Sequence, residues 1–193
     1  MANRKYEFRP DKTHGDLLNK LYLTKKQRLS LLKWSLFAVT LLALSVVQDV
    51  ILCRVTLFGA ACDLVPCAIF MICVILGAET GSVFSLVAAA MYQFSGTAPG
   101  YHIIVMIPLL GICAALFRQS YLRRSFSAEV LCAGSATLLY ETALYVIGVA
   151  TGYTAIFRVV SFLITAGLSL IVNMALYPLY CVIGRIGGEP WKE

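Results

Sequence analysis

Residues 34–53 have the sequence WSLFAVTLLALSVVQDVILC, in which Gln48 and Asp49 are the only strongly polar side chains. A helix that crosses a bilayer needs about 20 predominantly apolar residues, so this stretch predicts a membrane span. Five more apolar runs follow it. We therefore predict an all-α, polytopic membrane protein with a bundle of six transmembrane helices over residues 34–185. The further runs are Leu64–Ala78, Gly81–Phe94, His102–Phe117, Glu129–Ala150 and Arg158–Gly184.

The composition agrees with a membrane protein and excludes several other classes. Hydrophobic residues make up 60% of the 193 residues and charged residues only 13%, whereas a soluble domain carries about 25% charged residues. These values exclude a water-soluble globular enzyme and a disordered chain. A nucleic-acid-binding protein is excluded as well, since no basic patch interleaved with aromatic residues is present.

The distribution of basic residues predicts the orientation. Residues 1–33 contain nine basic and three acidic residues and so carry the whole net charge of +6. In the six-span topology, 14 of the 16 Lys and Arg residues fall on the side of the N-terminus, and only Arg54 and Arg158 fall on the other. Basic segments stay in the cytoplasm, so we expect cytoplasmic tails at residues 1–33 and 186–193.

Two parts of this topology have alternatives. The second and third apolar runs are short, and four or five spans result if these two runs form a re-entrant pair. In the tail, the leucines of Asp16–Leu32 fall near one helical face, which is typical of an amphipathic helix lying on the inner leaflet. A disordered basic tail fits the same residues.

Seven cysteines and two histidines offer little for metal or redox chemistry. The cysteines are scattered, most of them lie within apolar runs, and no CxxC occurs. We therefore predict no metal site, no cofactor and no structural disulfide. Cys62 and Cys67 are close enough in sequence to raise the question of a disulfide, but we interpret them as small packing residues.

The fifth and sixth spans each carry a polar stripe with a spacing of four residues. Residues four apart lie on one face of a helix, and Glu141 and Ser169 both lie about 18 Å from the inner ends of their spans if the two helices are antiparallel. We predict that Glu141 is protonated or hydrogen-bonded by the Ser169 and Asn173 region. Two roles stay open, a polar clasp that locks two helices or a transport or ligand role. The stripes are Ala133, Thr137, Glu141 and Tyr145 in the fifth span and Thr165, Ser169, Asn173 and Tyr177 in the sixth.

The other acidic residues of the spans fall at predicted span ends. A charge within the membrane is costly, so we expect these carboxyl groups to reach water. The residues are Asp49, Asp63, Glu79 and Glu129.

Several short motifs between Val46 and Gly184 resemble those of MreD, the rod-shape-determining membrane protein family of bacteria. Gln48 stands near the end of the first span, Asp63-Leu64-Val65 is similar to the family's Pro-Asp-Leu entry into the second span, and Gly77 and Gly81 fit a glycine-bearing turn. Residues 86–96 (LVAAAMYQFSG), followed by Pro99-Gly100-Tyr101-His102, resemble its Gly-Leu-x-x-Asp segment and fourth span. The basic loop of Arg118, Arg123 and Arg124 also agrees. The chain departs from the family at Cys62, which replaces a proline, and at Gln93, which replaces an aspartate.

The resemblance implies a non-catalytic protein of the bacterial cytoplasmic membrane. MreD-like proteins act with MreC, with the MreB filament and with the RodA glycosyltransferase and its partner transpeptidase in lateral peptidoglycan synthesis. Their fold resembles the substrate-binding subunits of energy-coupling-factor transporters. One candidate partner surface is the small-residue stripe Ser82, Ser85 and Ala89, which close packing within the bundle explains equally well.

Two other classes of function agree less well with the sequence. In a substrate-binding subunit of an energy-coupling-factor vitamin transporter, Glu141, Asn173 and the loop SGTAPGY at residues 95–101 would line a ligand pocket. Against this, the first span lacks the Ala-x-x-x-Ala pattern with which such subunits dock. An intramembrane hydrolase is disfavoured because no GxSxG motif is present and His102 stands at a span end, so no histidine lies inside a span to act as the base. We therefore predict that the chain is not an enzyme.

Overall fold

The computed structural model describes residues 25–52, 54, 62–96, 98–122 and 125–186, and these residues form helices and connecting turns without a β-strand. The all-α prediction is confirmed. A π-helical turn, Gln48–Leu52, continues the first helix, and a 3₁₀ turn, Ile156–Arg158, precedes the last. The helices are α1 (Lys25–Val47), α2 (Leu64–Leu76), α3 (Ala78–Phe94), α4 (Ile103–Tyr121), α5 (Phe126–Ala150) and α6 (Val159–Arg185).

Four of these helices are long and apolar enough to cross a membrane. They are α1 together with its π-helical turn (Gln27–Leu52), α4, α5, and α6 together with its 3₁₀ turn (Ile156–Arg185). Helix α1 starts nine residues before Trp34, so the last part of the basic tail is continuous with the first span. Within the amphipathic segment predicted at residues 16–32, positions 16–24 lie outside the described residues, and residues 27–32 are exposed helix.

Helix α2 occupies the centre of the bundle. Its 13 residues extend over about 20 Å, and every residue from Val65 to Leu76 is buried. A helix that is apolar on all faces must be surrounded by other elements or by lipid. Here α2 packs against all five other helices, which enclose it completely.

A single glycine reverses the chain between α2 and α3. Gly77 has φ +88°, a conformation that residues with a Cβ rarely adopt, and its N–H donates to the Cys73 carbonyl at 2.9 Å. The glycine-bearing turn expected from Gly77 and Gly81 is therefore shorter than that spacing predicts, because residues 78–81 form the first turn of α3. A Cβ at Gly81 would lie 2.9 Å from the Cys73 carbonyl oxygen, so glycine is needed there for close contact between the two helices.

The bundle has two ends, which we name after Arg118 and His102. The Arg118 end holds the Gly77 reversal, the short connection between α4 and α5, and the C-terminus of α6. Aromatic packing ties α1 to α3 and α6 at this end, because the ring of Phe37 lies 6.2 Å from that of Phe84 and 6.0 Å from that of Tyr180. The π-helical turn, the start of α2 and the α5–α6 connection lie at the His102 end.

Candidate functional site

The side chain of Gln48 forms the link between three helices at the His102 end. It is 3% exposed, and its Oε1 accepts a hydrogen bond of 2.9 Å from the backbone N–H of Val65 in the first turn of α2. Its Nε2 lies 3.3 Å from the Tyr92 hydroxyl of α3 and 3.4 Å from Oδ1 of Asp63. Gln48 thus caps α2, because it supplies an acceptor for a backbone N–H of the first helical turn. Asp63, which stands at the N-cap position, makes no side-chain cap bond.

The π-helical turn explains how Gln48 reaches these partners. Such turns insert an extra residue per turn and occur frequently at functional sites. In this chain, the π-helical turn starts at Gln48 and places it among the buried residues of the bundle. The sequence carries no signal that predicts a π-helical turn, and the roles of Tyr92 and Val65 were missed for the same reason.

Asp63 lies beside Gln48 just before α2. Burial raises the pKa of the Asp63 carboxyl to about 6. Asp63 is half-buried, so it keeps part of the exposure expected of a residue at a span end.

Helices α5 and α6 are joined by two buried hydrogen bonds between their polar stripes. Ser169 Oγ donates to Glu141 Oε1 at 3.2 Å, and Asn173 Nδ2 donates to Thr137 Oγ1 at 2.8 Å. All four side chains are at most 6% exposed. The predicted contact between Glu141 and Ser169 is therefore present, whereas Asn173 bonds to Thr137 and not to the carboxyl group.

We call the polar side chains of these contacts together the polar core and define it as Gln48, Asp63, Tyr92, Thr137, Glu141, Ser169 and Asn173. A Cys67 thiol of α2 faces it and lies 3.7 Å from the Ser169 carbonyl oxygen. Cys62 and Cys67 are free thiols. Within the described residues, Asn173 Oδ1 has no hydrogen-bond partner. Six of the seven side chains are buried, and hydrogen bonds between them join different helices.

The remaining predicted site residues lie outside the polar core. Gly81 packs on the backbone of α2. Ser85 is fully buried and its hydroxyl donates within α3 to the Ser82 carbonyl at 2.9 Å, and Ala89 is fully buried too. Ser85 and Ala89 are therefore packed inside the bundle while Ser82 is half-buried, which agrees with the close-packing alternative for this stripe. Gln93 is half-buried, and its Oε1 accepts no hydrogen bond from the described residues.

A second buried contact lies at the Arg118 end. Arg118 and Glu129 are 4% and 2% exposed, and Nη1 of Arg118 lies 2.9 Å from Oε1 of Glu129. Glu129 was expected to reach water and Arg118 to lie in a polar loop, and both expectations are wrong. Helix α4 continues to Tyr121, so both residues lie on helices where an ion pair offsets the cost of burial. Glu79, by contrast, is exposed as expected.

A cavity of about 550 Å³ opens at the His102 end. The residues Pro99–His102 line one side, and Leu144, Ile147 and Gly148 of α5 with Thr151, Tyr153 and Thr154 line the other. Glu141 and Asn173 are not among the lining residues. The cavity and the polar core are therefore separate features, joined only through α5.

The described residues hold no group of three or more His, Cys, Asp or Glu side chains able to bind a metal ion. Comparison with family models, with curated proteins and with solved structures finds no match to this chain.

Proposed function

We propose that this chain is a non-catalytic component of the bacterial cell-elongation machinery. In this role it helps to organise lateral peptidoglycan synthesis, and hence rod shape, together with MreC. The observation that carries the proposal is the contact between Gln48 and Asp63. These two residues belong to separate motifs of the MreD resemblance, and they meet across 15 residues of sequence at 3.4 Å.

The type of contact supports a scaffold over an enzyme. Gln48 caps α2 and bonds to Tyr92, so the motif side chains are used to fix how the helices are arranged. A scaffold depends on a defined outer surface, and that surface is set by the helix arrangement. Helices α1 and α6 offer the largest such surface. In each of them, only 17% of the most apolar 18-residue stretch is buried inside the bundle.

The proposed topology follows from the length of the helices and from the charges. We place the protein in the bacterial cytoplasmic membrane with the Arg118 end and both termini in the cytoplasm. In this arrangement the chain passes through the membrane six times, with the short helix α2 enclosed by its neighbours and therefore not required to match the bilayer thickness. The overall arrangement would then resemble energy-coupling-factor subunits.

Affinity purification tests the function. The chromosomal copy is tagged, solubilised in mild detergent, and the proteins that co-purify are identified. We expect MreC, RodA or its partner transpeptidase, with MreB recovered through them. An untagged strain controls for unspecific capture, and a tagged strain with Glu141→Gln tests whether a charge at Glu141 matters. A folded Glu141→Gln variant that keeps its partners and rod shape excludes a charge-dependent role.

The alternative is a substrate-binding subunit of an energy-coupling-factor transporter. The observation in its favour is the cavity at the His102 end, which residues 99–101 of the SGTAPGY loop help to line. Recovery of a pair of transporter ATPases with their membrane coupling subunit, without any elongation protein, would overturn the scaffold proposal and establish this alternative.

A further inference from the structure

We infer that the outward face of α1 at the Arg118 end binds an anionic phospholipid of the adjoining leaflet, with the headgroup between two cations and one acyl chain along a leucine stripe. Residues 25–33 contain four basic and no acidic residues, and an anionic headgroup supplies the opposite charge. The inference concerns this outer surface alone and does not rest on the proposed scaffold function.

The basic start of α1 continues in the direction of the membrane span. Helix α1 is one α-helix from Lys25 to Val47 and contains neither proline nor glycine, at which helices commonly kink. The Trp34 ring lies 6.0 Å from the Phe84 ring of α3, and Leu29 and Glu79 each stand five residues before these contacts. Because Glu79 is exposed and charged, Leu29 lies at the level of the membrane surface.

An apolar stripe leads from this level into the bilayer. Leu29, Leu32 and Leu36 fall within an arc of about 60° on the helix, and Val39 and Ala43 continue the same face. Leu29, Leu32 and Val39 are 45%, 50% and 60% exposed. The rise from Leu32 to Ala43 is about 16 Å, which matches one leaflet of a hydrocarbon core about 30 Å thick. The stripe therefore offers a continuous path for one acyl chain.

Two cations flank the upper part of this stripe. Arg28 and Lys33 each stand about 70° from its centre, on opposite sides. Arg28 is exposed and Lys33 is half-buried, and a guanidinium group can donate two parallel N–H bonds to a phosphate. Glu79 belongs to α3, which contacts the other side of α1 through Trp34, so its carboxylate does not face the stripe.

The charges favour a lipid over a protein as the occupant. A second copy of this chain in the same membrane would bring its own Arg28 and Lys33 against those of the first, and facing like charges are unfavourable. An acidic partner helix is disfavoured as well, because Lys and Arg predominate beside the spans on the cytoplasmic side. An anionic phospholipid satisfies both the cations and the apolar stripe.

The test compares dioleoyl phosphatidylglycerol with dioleoyl phosphatidylcholine, which share their acyl chains and differ in headgroup charge. The full chain is purified in mild detergent, freed of lipid and titrated with each lipid, and the bound lipids are counted by native mass spectrometry. We expect the first phosphatidylglycerol to bind at least tenfold more tightly than the first phosphatidylcholine, and inorganic phosphate not to displace it. Displacement by phosphate would overturn the inference. Equal affinities would overturn it too and would make an acidic protein the better candidate.

Matched variants locate the site. Each Lys or Arg contributes about fivefold in affinity, so Arg28→Gln with Lys33→Gln should weaken phosphatidylglycerol binding about 30-fold, whereas Arg28→Lys with Lys33→Arg should retain it. The control Arg158→Gln removes an exposed cation at the other end of the bundle and should change nothing. Leu32→Ser should weaken binding about fivefold, while Leu31→Ser, off the stripe, should not. A double glutamine variant that keeps its preference for phosphatidylglycerol, or an equal loss in Arg158→Gln, would refute the site.

Discussion

Replacement of Gln48 by leucine tests whether this side chain holds the start of α2. The change keeps a similar volume but removes the acceptor of the Val65 N–H, which is bonded at 2.9 Å. An unsatisfied buried N–H costs about 1–3 kcal/mol. The contacts to Tyr92 and Asp63 are longer, 3.3 and 3.4 Å, and together contribute about 1 kcal/mol. We therefore expect Gln48→Leu to lower the free energy of unfolding by about 2–4 kcal/mol.

Equilibrium unfolding in mixed micelles of dodecyl maltoside and increasing SDS measures this loss. Trp34 of α1 lies 6.0 Å from the Phe84 ring of α3, so its fluorescence reports on helix separation in a Trp191→Phe background. Gln93→Leu is the matched control. Gln93 Oε1 accepts no hydrogen bond from the described residues, so this change should be nearly neutral. If both leucine variants unfold within about 0.5 kcal/mol of each other, the assignment of Gln48 as the cap is refuted.

Three further predictions use the same unfolding measurement. Glu129→Ala leaves the buried Arg118 charge without its carboxylate and should lower the free energy of unfolding by about 3–5 kcal/mol. The double variant with Arg118→Met should recover much of this loss, and no recovery would mean that the two residues are not coupled. Gly81→Ala forces a Cβ against the backbone of α2 and should lower the free energy of unfolding by about 1–3 kcal/mol. The control Gly167→Ala has no heavy atom within 4 Å of its Cβ, so it should be neutral or slightly stabilising. Equal effects of the two variants would contradict the close contact at Gly81. Burial raises the pKa of Asp63 from 3.8 to about 6, so the folded state binds this proton more tightly than the unfolded state. The free energy of unfolding should therefore fall as the pH rises between these values. Asp63→Asn should remove this dependence on pH, and an unchanged dependence would assign it to another group.

The sequence was sufficient for the features that depend on length and periodicity. The long helices follow from apolar runs, because backbone groups in lipid must be bonded within the segment. The contact between Glu141 and Ser169 follows from the spacing of four residues in each helix and the antiparallel arrangement of the two helices. Both arguments need only helix geometry and the order of the helices along the chain.

The features that depend on three-dimensional context could not be predicted. The burial of Glu129 requires Arg118 to lie on the same end of a neighbouring helix, and the charge pattern alone is equally consistent with a polar loop. The capping role of Gln48 requires a π-helical turn, for which the residues 48–52 carry no recognisable signal. The central position of α2 was missed because an apolar helix in lipid and one enclosed by protein have the same composition.

The enclosed position of α2 has a consequence for biogenesis. The Cys67 thiol lies against the Ser169 carbonyl, 102 residues later in the chain, so α2 leaves the ribosome long before its last neighbour is made. Helices α1, α4, α5 and α6 are long enough to be inserted into the bilayer one at a time, but α2 is too short to match the bilayer while it waits. We expect it to remain sheltered by the insertion machinery or by a chaperone until α6 arrives. Nascent chains that stop before residue 169 should therefore be substrates for quality-control proteases even though most of their helices are already inserted.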